Sequence, residues 1–226
     1  MALHTAGKLG VWRMGDTEWH NINDNRERSH YYDIVYHKGK FYALDFTGLV
    51  VSVDPATLKL TEFSPVMYGS CYGYGGQDKY LVKSFGDLLR IDKYRLDDFD
   101  LCVYSSDSDD NCPVPMIFYK LDEEKHDWVQ MEGLDNRVLF VGDDVSFSIL
   151  AKGFHGCKKN CVYYHDYSFS EENDDHPAFD AGIFSLEDGT YGPLAKFPGY
   201  SKIFWPPPTR LKSKPRELPR QKGVLF

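Results

Sequence analysis

Four residues in one stretch carry metal-binding side chains: His155, Cys157, Cys161 and His165, spaced H-x-C-x3-C-x3-H. Thiolate and imidazole are zinc ligands, and a structural zinc takes four in a tetrahedron. The spacing is not the usual C-x2-C. Cys161 also stands beside Val162 in a strand-like run, where neighbours point to opposite faces. The reading is a buried core thiol at Cys161 and a loop cysteine at Cys157, with no metal. Asp107-Ser108-Asp109-Asp110-Asn111 offers oxygens to calcium but lacks the glycine and the distal glutamate of an EF-hand, so it reads as a solvated acidic loop. Gly73-Tyr74-Gly75-Gly76 has the glycines of a phosphate cradle, with no Lys-Ser/Thr and no helix start after them. Ser146, His126 and Asp144 are the residue types of a nucleophilic triad, but Ser146 has no G-x-S-x-G elbow. The expectation is a protein with no catalytic residue and no cofactor.

The elements around these residues are short strands. Met116 to Met131 (MIFYKLDEEKHDWVQM) alternates through Leu121, turns at Asp122 to Asp127 and resumes at Trp128, which predicts a β-hairpin. Val11 to Ile22, Val50 to Phe63 and, more weakly, Gly182 to Leu194 repeat its shape, and a hairpin repeated along one chain marks a β-repeat architecture. After a leading hairpin, Leu9 to Met14 with Glu18 to Ile22, the chain divides into three sets of four strands. The first is Tyr32–Tyr36, Lys40–Asp45, Leu49–Val53 and Lys59–Phe63. The second is Lys79–Ser84, Leu88–Lys93, Met116–Asp122 and Asp127–Met131. The third is Ser146–Ala151, Asn160–Asp166, Gly182–Glu187 and Gly192–Phe197. Four antiparallel strands per set is the make-up of a propeller blade. The fold class is therefore all-β: a partial β-propeller of about three and a half four-stranded antiparallel blades. No amphipathic helix of normal length is visible, the best local run being Leu134 to Arg137, which is too short.

Aromatic residues are the packing material, at 15% of the chain, as suits pleated surfaces. Trp19, Phe63, Trp128 and Leu194 fall at the outer-hairpin position of successive copies, and Met14, Val53, Leu121 and Leu186 at the inward place. Trp19, Trp128, Asp122 and Cys161 count as structural residues. Long insertions stand between strands two and three of the second and third sets. They carry Asp97, Asp98, Asp100, Asp107, Asp109 and Asp110 in one, and Glu171, Glu172, Asp174 and Asp175 in the other. Equivalent positions put both on one face, and these acids are the candidate interaction residues. An incomplete ring also leaves an open edge strand, a route to self-association.

Charge and composition narrow the class. The net charge of −8 speaks against nucleic acid, which wants a basic face. No run of 18 apolar residues exists, so no membrane span is expected. Five cysteines without a signal peptide point to reduced thiols in the cytoplasm or nucleus. The tail 209–226 is basic and expected to be disordered. It follows a propeller region at 9–208 and a short segment at 1–8.

Five blocks of this sequence resemble one family. YDIVYHKGKFYALDFTGLVVSVD, KYLVKSFGDLLRID, FYKLDEEKHDWVQMEGLDNRVLFVGDDVSFSILA, CKKNCVYYHD and AGIFSLEDG are similar in order and spacing to the plant KIB-type β-propeller domain, a kelch-like family usually preceded by an F-box. The resemblance implies a non-catalytic protein-interaction module, like the propeller that holds the target in substrate receptors of SCF-type ubiquitin ligases. There the F-box binds a Skp-type adaptor. No F-box segment stands ahead of Leu9, so the expectation is a truncated member without that adaptor, its target unknown. The rival readings are a propeller-type enzyme or small-molecule binder, and a truncated fragment without function. An enzyme would need acids and histidines at axis-facing strand starts, where this chain has YDIVY, YLVKS and SFSILA.

Overall fold

The computed structural model describes residues 2–3, 7–22, 24, 26, 29–66, 78–94, 116–143, 145–153, 157–166 and 180–197. Among them there is no α-helix, only strands and two single 3-10 turns, Ala151–Gly153 and Leu194–Lys196. The strands form four sheets. The first has three: β1 (Ala2–Leu3), β2 (Leu9–Val11) and β3 (His20–Asn21). The second runs in chain order through β4 (Tyr31–His37), β5 (Lys40–Asp45), β6 (Val50–Val53) and β7 (Leu60–Ser64). The third does the same with β8 (Asp78–Ser84), β9 (Asp87–Lys93), β10 (Met116–Asp122) and β11 (Asp127–Gln130). These two sheets are the first and second predicted four-stranded sets, with boundaries shifted by a residue or two.

Turn chemistry fixes their register. His37 pairs with Lys40 and Ser84 with Asp87, so each first hairpin closes through two residues. Lys38 and Gly39 have φ of 43° and 86°, Phe85 and Gly86 of 48° and 94°. Two successive positive φ values make the turn whose twist matches that of the strands it joins. A one-residue slip would swap every side chain between faces.

The fourth sheet departs from expectation. It has five strands in the order β13 (Phe147–Leu150), β12 (Arg137–Val141), β14 (Cys161–His165), β15 (Ala181–Ser185), β16 (Tyr191–Pro193). The strand β12 has no counterpart in the predicted set, and it runs parallel to β14 while its other neighbour is antiparallel. It gave no alternating pattern because both of its faces are covered. Val138 packs on one side with Cys161, Tyr163 and Ile183, and Leu139 on the other with Val162, Phe184 and Phe118. Strands buried on both faces read as continuous apolar runs. The last predicted strand is also shorter: Tyr191–Pro193 pairs with β15, and the chain then enters the 3-10 turn at Leu194.

The sheets stack face to face, with β4 against β8 and β8 against β13. Three apolar seams lie between them. Leu9, Tyr31, Ala43, Val51 and Val53 join the first and second sheets. Leu44, Val50, Leu81, Leu88, Leu121 and Trp128 join the second and third. Phe118, Ile91, Leu139, Val162 and Phe184 join the third and fourth. Burying one such side chain is worth about 1.5–3 kcal/mol, so no sheet is expected to stand alone.

Two expectations about packing are corrected. Trp19 is 55% exposed and Met14 is 96% exposed. The first hairpin is shorter than its sequence copies: its strands stop at Val11 and resume at His20, and Met14 lies in the Arg13–Asp16 turn. Gly10 pairs with Asn21 and Val11 with His20. Trp12 and Trp19 lie just beyond this last pair and are exposed, while Leu9 and Ile22 pack on the second sheet. Phe63 is half-buried, edge-on to Tyr42 at 5.0 Å. The segment ahead of Leu9 contributes β1, paired with β2.

Candidate interaction face

Strand order decides which connections share an end of the sheets. The turns at Lys38–Gly39, Phe85–Gly86 and Glu123–His126 close one end. The turn 46–49 and the connections after Lys93 and after Asp166 lie at the other. The acidic residues Asp97 to Asp110 and Glu171 to Asp175 lie in those last two connections, outside the described residues; so do His155, Asp144, Gly73 to Gly76 and the tail from 198. Their stems are among the described residues, and one ion-pair network joins them. Lys93 Nζ, at the end of β9, sits 3.2 Å from Asp78 Oδ2 and 3.0 Å from Asp166 Oδ2, over the Tyr164 ring. It therefore ties the last residue of the first insertion's incoming strand to the residue just after β14, where the second insertion leaves. His165 Nε2 lies 3.0 Å from Asp180 Oδ2, clasping the two ends of the second connection.

The same end carries further buried charge. Arg26 pairs with Asp24 at 2.8 Å and with Asp45 at 2.7 Å, and Tyr31 donates its hydroxyl to Asp24. Burial pushes the Asp24 carboxyl upward, but its bonds to Arg26 and Tyr31 outweigh that and hold it well below the usual range. Burial together with the hydrogen bond to Asp24 pushes the Tyr31 hydroxyl up. Asp45 accepts from the backbone N–H of Thr47 and Leu49, shaping the turn between β5 and β6. Lys79, buried near Asp92, has its ammonium pulled down by desolvation against the attraction of that carboxylate.

Locks between sheets hold this end in place. Arg90 is fully buried and grips Asp92 with two bonds of 2.7 Å, the paired geometry that suits guanidinium and carboxylate. Its Nη1 donates to the carbonyl of Gly48 at 2.9 Å, across the seam between the second and third sheets. Gly48 has φ +83°, and a Cβ there would stand 2.5 Å from Arg90 Nη2. Only glycine fits both demands. Asp33, on β4, accepts from Leu81 N at 2.7 Å and Ile34 N at 2.6 Å. Burial pushes its carboxyl up to about 6, against those two donors. At the opposite end Glu123 takes His37 at 3.1 Å and Lys38 at 2.7 Å, and the Lys38 bond heads the causes that lower its carboxyl.

The remaining singled-out residues fall in the scaffold. Trp128 is 6% exposed, and its Nε1 donates to Ser64 Oγ of the second sheet at 3.0 Å. Asp122 accepts from the backbone N–H of Glu124 and Lys125, capping the β10–β11 turn. The Cys161 thiol is buried in the fourth sheet, and desolvation pushes it up to about 11, the behaviour of a packing residue rather than a nucleophile. The His126 ring lies tilted against Phe63, centroids 4.4 Å apart. Among the described residues no three His, Cys, Asp or Glu side chains are grouped to hold a metal, and no helix is long and apolar enough to cross a membrane. The locks Arg90–Asp92 and Asp33–Leu81 were missed by sequence reasoning. A charged residue inside an apolar run, with an opposite charge two residues on and hence on the same face, was the available signal for the first.

Comparison with known proteins agrees with this architecture. The chain is 32% identical to the F-box protein SKIP23 of Arabidopsis thaliana over 236 residues, covering 96% of this chain and 54% of that protein. It is 32% identical over 207 residues to the Arabidopsis F-box protein At2g17036, covering 89% and 50%. A putative F-box/kelch-repeat protein, At5g24040, is 29% identical over 161 residues, or 70% and 40%. The chain thus spans about half the length of these two curated relatives. The sequence profile of the KIB1-4 β-propeller matches residues 1–185, most of the chain and all of the strands from β1 to β15: the protein belongs to the KIB1-4 β-propeller family.

Proposed function

We propose that this propeller is a non-catalytic module that holds a protein target on the end where the two acidic insertions emerge. The observation that carries the reading is the Lys93 bridge between Asp78 and Asp166, which brings the stems of both insertions to one place. Asp97, Asp98, Asp100, Asp107, Asp109 and Asp110 on one side, and Glu171, Glu172, Asp174 and Asp175 on the other, would then present a shared negative surface in a chain of net charge −8. Such a surface selects a basic partner and acts mainly on the rate of encounter. The ionisable side chains at the stems support binding rather than catalysis, since Arg26, Arg90 and Lys93 are all engaged in ion pairs with neighbouring aspartates. In a substrate receptor of a ubiquitin ligase the module would supply the target-holding part, in the cytoplasm or nucleus.

The test is capture of partners from an Arabidopsis extract with the wild-type chain and with a variant carrying amides at all ten acidic positions. The expected result is a basic protein that binds the wild type and associates with the variant about 10-fold more slowly at low salt, with a flatter salt dependence. Equal rates and equal salt dependence for both would refute the reading.

A further inference from the structure

β12 and β14 run parallel, so the chain between them must cross over. β13 pairs back on β12, the 3-10 turn Ala151–Gly153 follows it, and Cys157 packs on the outer cluster of the fourth sheet before β14 begins. The outer face is thereby divided. Over β14 and β15 it is closed: Cys161, Tyr163 and Ile183 are at most 2% exposed. Over β12 and β13 it is not. Phe140 pairs with Phe147 and Val138 with Ile149, which sets all four on one face. Phe147 remains 45% exposed, and Val145, two residues before it, 65%. A cavity of about 490 Å³ lies here, walled by Phe140, Val145, Phe147 and Ile149, with buried Tyr163 closing one side. Sites for small molecules have this size, with an apolar lining and a few polar groups.

Those polar groups stand at the two ends of β12 and β14. At one end His165 lines the cavity and is held by Asp180 at 3.0 Å, a carboxylate that disfavours an anion. Towards the other end Cys157 also lines a second cavity, of about 590 Å³, whose walls carry the exposed Lys152 and Lys159. Lys158 beside them is engaged by Asp188 at 2.8 Å. Neither Lys152 nor Lys159 makes an ion pair among the described residues. Asp135 shares the second cavity, so cations outnumber acids there by two to one. Burial pushes the Cys157 thiol up, which keeps the passage between the cavities uncharged.

We propose that the two joined cavities bind a long-chain carboxylic acid, its alkyl chain on Phe140, Phe147 and Ile149 and its carboxylate turned past Cys157 to Lys152 and Lys159. The direction follows from charge: lysines stand at one end and the Asp180 carboxylate at the other. The length follows from the strand: the four residues of β13 put about 13 Å between the Val145 end and the lysines, so a short acid cannot reach both. None of the acidic insertion residues takes part, and the site does not depend on the target-holding surface.

Calorimetric titration of the full chain with octanoate, decanoate and dodecanoate, each below its micelle concentration, tests this. Affinity should rise about 4-fold for each added CH2. Decanol should bind about 5-fold more weakly than decanoate, and decylammonium more weakly still. No binding of dodecanoate at about 1 mM, an affinity indifferent to chain length, or equal binding of the three headgroups overturns the proposal. The double variant K152E/K159E changes two exposed residues and should melt like the wild type. It should lose the preference for acid over alcohol while still binding decanol. V145D puts a charge into the apolar cavity from an exposed position and should weaken decanoate and decanol alike by about 10-fold, with V145S in its place if V145D melts without cooperativity. An unchanged preference in the lysine variant, or unchanged affinity in the Val145 variant, places the acid elsewhere and overturns the proposal.

Discussion

Trp19 and Trp128 stand at corresponding places in two copies of one hairpin, and their fates differ. Trp128 lies in a seam, edge-bonded to Ser64 of the next sheet, with Leu121, Leu88 and Phe63 around it. Trp19 lies just before β3, outside the paired residues of the first sheet, with over half its surface exposed. The hairpins read alike, but the strands that carry them do not. β10 and β11 pair over four positions, β2 and β3 over two. Position in a repeat sets which way a side chain points; burial depends on whether a sheet is stacked on that side. What holds this fold is therefore the seam, where apolar clusters are pinned by a few buried polar locks.

Breaking the seam should cost most. Trp128→Ala is expected to lose about 3–5 kcal/mol in urea denaturation, and a loss below about 1 kcal/mol would remove Trp128 from the core account. Arg90→Ala leaves Asp92 buried without its cation, and a similar loss of about 3–5 kcal/mol is expected. Gly48→Ala should approach it, because the new Cβ displaces the guanidinium from the same pair. Next comes Asp33→Asn, which keeps an acceptor for the Leu81 amide and removes the buried charge. The folded carboxyl titrates near 6 against an ordinary 3.8, so the folded chain binds this proton more tightly than the unfolded one. Wild-type stability should then fall, relative to the asparagine variant, as pH rises from about 4 through 6, and stay level above. The gap at neutral pH is up to about 3 kcal/mol, and paired denaturation at pH 4.5 and 7.5 reads it; a pH-independent gap would contradict the assignment. Ser64→Ala deprives the Trp128 indole N–H of its acceptor and is expected to cost about 1–2 kcal/mol. Smallest is Trp19→Ala, within about 0.5 kcal/mol; a loss comparable to that at Trp128 would erase the difference between the two regions.

The second and third sheets were legible because their apolar runs alternate and are separated by turns with glycine at Gly39 and Gly86, a local code that ends each strand where it must reverse. The fourth sheet was legible only in part. The run VLFV in β12 has no alternation, and its parallel partner β14 lies beyond a crossover containing β13, so no turn announces the pairing. The meeting of the stems from which the two acidic insertions leave could not be read, because Lys93, Asp78 and Asp166 meet only once the third and fourth sheets have stacked. Trp19 misled for the same reason: a hairpin's sequence does not say how far its strands remain paired.

The most direct test of the proposed interaction face is hydrogen–deuterium exchange of the chain alone and bound to a captured partner. Slowed exchange at Thr47–Leu49, at Lys93–Tyr94, at Asp166 and at Asp180–Ala181, with the turns Lys38–Gly39, Phe85–Gly86 and Glu123–His126 unchanged, is the predicted result. Protection confined to those three turns would place the partner at the opposite end of the sheets and contradict the account.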